Sequence, residues 1–185
     1  MDWTWILIGT AAGAAVMFFW LGLCWMALPH HKADFRGIPE PAGLDGPLSG
    51  LAPGKVIYCY PFMGDYAGGQ NDPELKARME KGPNALITML PKGDCMGPGV
   101  FLRGFLINLV DAFGLALLCS LLAVPALSDK VLACAAAGAL IGVTTYGGMS
   151  NWMFQPWRFS AMCIFDRVVG YAMIGVVLHF CLPAG

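Results

Sequence analysis

Charge is absent from long stretches of this chain, and those stretches are too long and too apolar for ordinary core elements. From Trp3 to Leu28 the sequence reads WTWILIGTAAGAAVMFFWLGLCWMAL without one charged residue. A bilayer-crossing helix needs roughly 20 predominantly apolar residues, so residues 3–28 predict a first span. No basic segment precedes it and it is too long for a signal-peptide core, which makes it a retained anchor on the sequence pattern. Further spans are predicted over 100–125, stopped by Pro125, over 131–147, and over 157–182. The linker from Ala126 to Lys130 makes the second and third a helical hairpin. The third is the shortest and the richest in small residues (ACAAAGALIG), a composition expected in the middle of a bundle.

Residues 29–99 have a different pattern, polar and rich in Gly and Pro. KVIYCYPFM (Lys55 to Met63) and ALITMLP (Ala85 to Pro91) are β-branched or apolar enough for strands. Between them NDPELKARMEKG has helix punctuation: Asp72 as N-cap, Pro73 at the first position, Glu74 in the first turn and Gly82 as the stop. Such a segment buries little core of its own. The fold class expected is an all-α membrane protein, four transmembrane helices with a small α+β cap inserted between helices 1 and 2.

Composition sharpens this picture. The 185 residues are 57% hydrophobic and only 12% charged, with a mean hydropathy of +0.63. A soluble domain carries about twice that charge, and a disordered chain far less apolar surface. Nucleic acid is excluded as a partner by a net charge of −1 and the lack of any Lys/Arg cluster. Of the 23 charges, sixteen lie between Lys32 and Arg103. The basic residues near span ends gather on the cap side (Lys32, Arg36, Lys92, Arg103, Arg158), so the positive-inside rule favours a cytoplasmic cap. The expected location is the cell inner (plasma) membrane, with lipids and other membrane subunits as partners.

Candidate chemistry begins with charge at membrane depth, where an ionisable side chain is costly and usually paired or functional. Asp111 lies eight residues after Arg103 and Asp166 eight after Arg158, about 12 Å along their helices. With Arg167 and with Asn108, one turn before Asp111, they form a candidate intramembrane polar network. Pairing Asp111 with Arg167 leaves Asp166 in need of another partner, a hydroxyl or a neighbouring subunit. The plain alternative is a structural ion-pair set with Arg167 snorkelling toward the headgroups.

His30 and His31 follow Pro29 into the headgroup zone. Adjacent residues leaving a helix rarely converge on one metal, and no ligand of usual spacing accompanies them, so neither metal nor haem is expected. Cys59 and Cys95 flank the cap's strand–helix–strand unit and are the candidate disulfide pair, against free thiols as the default. Gly9 with Gly13 and Gly138 with Gly142 form GxxxG spacings for close helix packing, chiefly inside the bundle. All six tryptophans fall near span ends, as an interfacial belt requires. GDYAGG and KGDCMGPG have neither Walker nor Rossmann spacing, and no catalytic residue set or cofactor motif is present.

Met17 to Pro29, GKVIYCYP, KGPNALITMLPKG and NWMFQPWRFSAMCIFDRVVGYAMIGVVL (Asn151 to Leu178) together resemble a family of uncharacterised bacterial four-helix integral membrane proteins, a domain of unknown function. The resemblance implies architecture without an activity. These readings favour a non-enzymatic accessory or structural subunit of a larger membrane complex. The alternatives are a small transporter or channel-like protein using the intramembrane Asp and Arg, and a membrane redox or quinone-site protein.

Overall fold

The computed structural model describes residues 2–38, 43–54, 56–62, 64 and 71–182. Lys55 and Met63, the ends of the first predicted strand, lie outside the described residues, as does most of the glycine-rich stretch at 64–69. The chain is mostly helical, with four helices among the described residues long and apolar enough to cross a membrane. It divides into two compact units, one formed by residues 1–37 and 98–185 and the other by residues 38–97.

In the helical unit, α1 spans Trp3–Met26. Asp2 caps it, its carboxylate accepting from the Thr4 backbone N–H at 2.9 Å. Pro29 prevents continuation, and a tight 3-10 turn at Lys32–Asp34 turns the chain back. Residues 29–37 therefore belong with the helices, and the excursion begins as a separate unit only at Ile38.

In the smaller unit, α2 (Asp45–Ser49) precedes β1 (Ile57–Tyr60), α3 (Pro73–Lys81) and β2 (Ala85–Thr88). The strands pair antiparallel, with Ile57 opposite Thr88 and Tyr60 opposite Ala85. Asp72 accepts from the backbone N–H groups of Glu74 and Leu75, and Gly82 ends the helix at φ +67°. That left-handed angle suits a residue without Cβ. Among these elements Leu75 is the one buried apolar side chain, in keeping with a segment too short for much core. Cys59 and Cys95 are both free thiols, and Cys95 donates to the Pro91 carbonyl. The disulfide expected as a candidate is thus not formed.

Returning to the helical unit, α4 covers Pro98–Leu121, α5 covers Leu127–Trp152 and α6 covers Trp157–Cys181. α5 is longer than the predicted 131–147. It continues through a π turn at Val143–Gly147 into Gly148–Trp152, where Thr144 back-bonds to the Leu140 carbonyl at 2.8 Å. Ser160 then ties the end of α5 to the start of α6, with its Oγ 2.6 Å from Ser150 Oγ and 2.9 Å from the Tyr146 carbonyl oxygen.

The middle position belongs to α6, and the expectation for the third span is corrected. α6 packs on α1 and α5, α1 packs on α4, and α4 and α5 meet only lightly. The small residues of α5 serve one face alone: Gly138 lies against Arg167 and Tyr171, and Gly142 against Ile164. Its other side exposes Leu132 and Leu140. Gly9 and Gly13 likewise approach Leu178 and Ile174 of α6, so both GxxxG spacings work within the chain. α6 adds glycines of its own, Gly170 against Met17 and Gly175 against the Lys130 and Val131 backbone. The core between helices is Ile6, Ala14, Met17, Ala112, Leu115, Ala116, Ile174 and Leu178.

A methyl group at Gly175 would lie 2.8 Å from the Lys130 carbonyl oxygen, whereas one at Gly114 meets nothing within 4 Å. Gly175→Ala should therefore cost about 1–3 kcal/mol through forced backbone movement, and Gly114→Ala should cost nothing. Unfolding of both variants in detergent measures this; equal stability would refute the packing of α5 on α6.

Candidate functional site

Two polar clusters lie on adjacent residues of α6. In the first, Arg167 Nη1 donates to Asp111 Oδ2 at 2.8 Å and to the Tyr171 hydroxyl oxygen at 2.9 Å. Its guanidinium also lies over the rings of Tyr146 and Tyr171, at 5.9 and 5.4 Å from their centroids. The charge is thus neutralised by a carboxylate and faced by aromatic rings. Asn108 is buried one turn before Asp111 but bonds to neither Asp111 nor Arg167.

The second cluster surrounds Asp166, which is 2% exposed. His30 Nε2 lies 2.9 Å from its Oδ1 and His31 Nε2 lies 2.8 Å from its Oδ2. The partner that Asp166 requires is therefore the histidine pair, neither a hydroxyl nor a second subunit. His30 and His31 thus share one carboxylate, a contact that the sequence reading does not foresee. The turn closed by the Lys32 backbone N–H on the Pro29 carbonyl oxygen has His30 and His31 at its two central positions and brings both rings to α6 after α1 ends. A sequence signal existed in the Pro-His-His-Lys-Ala-Asp run, but only the turn converts it into a site.

The surrounding residues immobilise this cluster. Trp20 donates its indole N–H to the Asp166 carbonyl oxygen at 2.8 Å. Trp25 stacks on His31 with centroids 4.1 Å apart and planes 10° from parallel. These two tryptophans hold the site, although Trp25, like Trp3, Trp5, Trp152 and Trp157, is also exposed. His31 Nδ1 in turn faces Asp34 Oδ2 at 3.0 Å. Arg158 pairs with the other oxygen of Asp34 and donates to the His30 carbonyl oxygen at 2.8 Å.

Ionised carboxylates only accept hydrogen bonds, so His31 satisfies Asp34 and Asp166 together when both ring nitrogens carry protons. No protein-family model, curated protein or solved structure matches this chain. The chemistry of the site rests on its own geometry. Cys24, buried on α1, completes it: its Sγ, a ring nitrogen of His30 and a carboxylate oxygen of Asp166 all lie within 4.8 Å of one another. This is a thiol, an imidazole and a carboxylate brought together from two helices and one turn.

Burial opposes ionisation of Asp34, but the hydrogen bond from His31 and the charge of Arg158 outweigh it and hold the carboxyl below its ordinary value. A carboxyl lowered on folding adds stability above its unfolded value, and that contribution disappears as pH falls through the lowered folded value. Wild-type protein in detergent should therefore lose stability below about pH 4 more steeply than Asp34→Asn. Parallel acid slopes for the two proteins would dismiss the clamp.

The Arg167 pair yields a second expectation. Asp111→Asn leaves a part-buried guanidinium uncompensated and should cost about 3 kcal/mol. Adding Arg167→Met should recover most of that loss. Denaturation of the two single variants and the double variant gives the coupling directly, and strictly additive losses would show that the two side chains do not act as a pair.

Proposed function

We propose that this chain is a non-catalytic, multi-pass inner-membrane protein that serves as an accessory or structural subunit of a larger membrane assembly. The observation that carries the reading is the broad apolar outer surface of the packed helices, where Phe19, Leu106, Val110, Leu132, Leu140 and Phe180 are all exposed. α4 and α5 come together lightly, with the Cys119 and Cys134 thiols 3.8 Å apart near their joining turn. α4 also reaches α6 through Asp111 and Arg167, so the four helices close round one apolar cluster and turn their outer surface to lipid or to a neighbouring protein.

The main buried cluster between the helices is apolar, formed by residues such as Ile6, Ala112 and Ile174, with the buried polar side chains of Thr10, Asn108 and Lys130 scattered over three helices. A conduit needs polar groups lining a continuous path. Here the charges of α4 and α6 are held in short-range contacts: Asp111 with Arg167, and Asp166 with the histidine pair. Those contacts favour a scaffold over a transporter, since transport would require them to break. The exposed α5 face, with Leu132 and Leu140, is the natural seat for a neighbouring helix.

Full-length protein extracted from its native membrane in mild detergent should migrate with a larger assembly, and a photo-crosslinker at Leu140 should capture one recurrent membrane protein. A monodisperse particle at the 19.8 kDa chain mass plus detergent, with no crosslinked partner, would refute the proposal.

A further inference from the structure

We propose that Cys24, His30 and Asp166 form an open-coordination site for a borderline divalent transition metal of the zinc class. This inference goes beyond the accessory role and is independent of any partner. The three donor atoms already lie within 4.8 Å of one another. A tetrahedral metal with Zn–N near 2.0 Å and Zn–S near 2.3 Å places its ligand atoms roughly 3.3–3.5 Å apart. His30 Nε2 and Asp166 Oδ1, now 2.9 Å apart, need to open only by a few tenths of an ångström, and Cys24 needs to close by at most about 1.3 Å to reach the tetrahedral spacing.

The donor set is selective. Thiolate and imidazole disfavour magnesium and calcium, which prefer oxygen ligands, and suit zinc and its neighbours. Charge also balances within the coordination sphere, where one thiolate and one carboxylate neutralise a dication. On binding, the Cys24 proton leaves to the buffer and an S–metal bond forms; no electron is transferred. Three protein ligands leave a fourth position for water, the arrangement of open rather than closed zinc sites. His30, whose side chain is 20% exposed, marks the side open to solvent.

The second observation is the support built around the ligands. His31 Nε2 holds Asp166 Oδ2, which leaves Oδ1 for the metal. His31 is itself fixed by Asp34 at Nδ1 and by the Trp25 stack, and Asp34 is pinned by Arg158. Trp20 fixes the backbone of Asp166. Outer-shell carboxylates and rings of this kind orient metal ligands and raise affinity. His31 is accordingly a positioning residue, and Cys24, His30 and Asp166 are the ligands.

Cobalt(II) is the probe, titrated into purified full-length protein in detergent after chelator treatment. The expected result is one cobalt per chain with thiolate-to-cobalt charge-transfer absorption, displaced by zinc. Cys24→Ser should abolish the charge-transfer band, and His30→Ala should weaken binding at least roughly tenfold. His31→Phe should weaken it by roughly 10–100-fold while keeping the band. Cys119→Ser, which alters the other close thiol pair, should bind as wild type does. Absence of cobalt absorption in folded wild type, a band that survives in Cys24→Ser, or one that vanishes in Cys119→Ser would each overturn the site. Cys24→Ser is nearly isosteric, so a circular-dichroism spectrum matching wild type ties its loss to ligation.

Discussion

A carboxylate buried in the helix on which the others pack is the constraint that organises this protein. Asp166 stands at the centre of α6, and a buried ionised group requires charged or hydrogen-bonding partners at close range. α1 and the turn that follows supply nearly all of them. Trp20, Cys24, His30 and His31 occupy twelve residues of sequence, and they reach Asp166 because Pro29 ends the helix and the chain turns back at once. The direction in which the chain leaves α1 is thus coupled to the position of α1 on α6. Arg158 closes the arrangement by gripping Asp34 and the His30 carbonyl from the start of α6 itself.

Close packing makes that geometry attainable. Side chains at Gly9, Gly13, Gly138 and Gly170 would collide with or crowd the facing helix, so their absence lets α1 and α5 lie against opposite sides of α6. In an apolar solvent there is little hydrophobic drive between helices, and association depends on such close approach and on polar contacts. Here the two cooperate: glycines bring α1 near enough for Trp20 and the histidines to reach Asp166, and the polar contacts select one register for the packed helices.

Much of this was legible in the sequence. Run length and charge placement located the four long helices, and Asp72, Pro73 and Gly82 marked α3 because capping is local. Matching depth along two helices allowed a contact between Asp111 and Arg167 on the condition that those helices are neighbours, and the two side chains do meet. What escaped had non-local causes. ACAAAGALIG is compatible with a central helix or with one tight face, and only the rest of α6 decides between them. The third span continued past 147 because a π turn carries the helix through Val143–Gly147, which hydropathy does not register. The contact of the histidine pair with Asp166 was not legible, because a one-dimensional reading follows the chain outward from Pro29 and does not register the turn closed between Pro29 and Lys32.

Adjacent positions of one helix differ by about 100° in direction, and α6 uses that offset to serve two neighbours with opposite charges. Arg167 reaches across to Asp111 of α4, while Asp166 faces α1 and its turn. The two clusters are not chemically equivalent. A guanidinium keeps its proton and binds no metal, so the Arg167 pair has one state and acts as a fastener. Histidine rings exchange a proton for a metal ion or retain it, and a thiol lies beside them. A helix that presented only the first cluster would be fully explained by packing. The second brings a thiol and two imidazoles to one buried carboxylate, more chemistry than the joining of two helices requires.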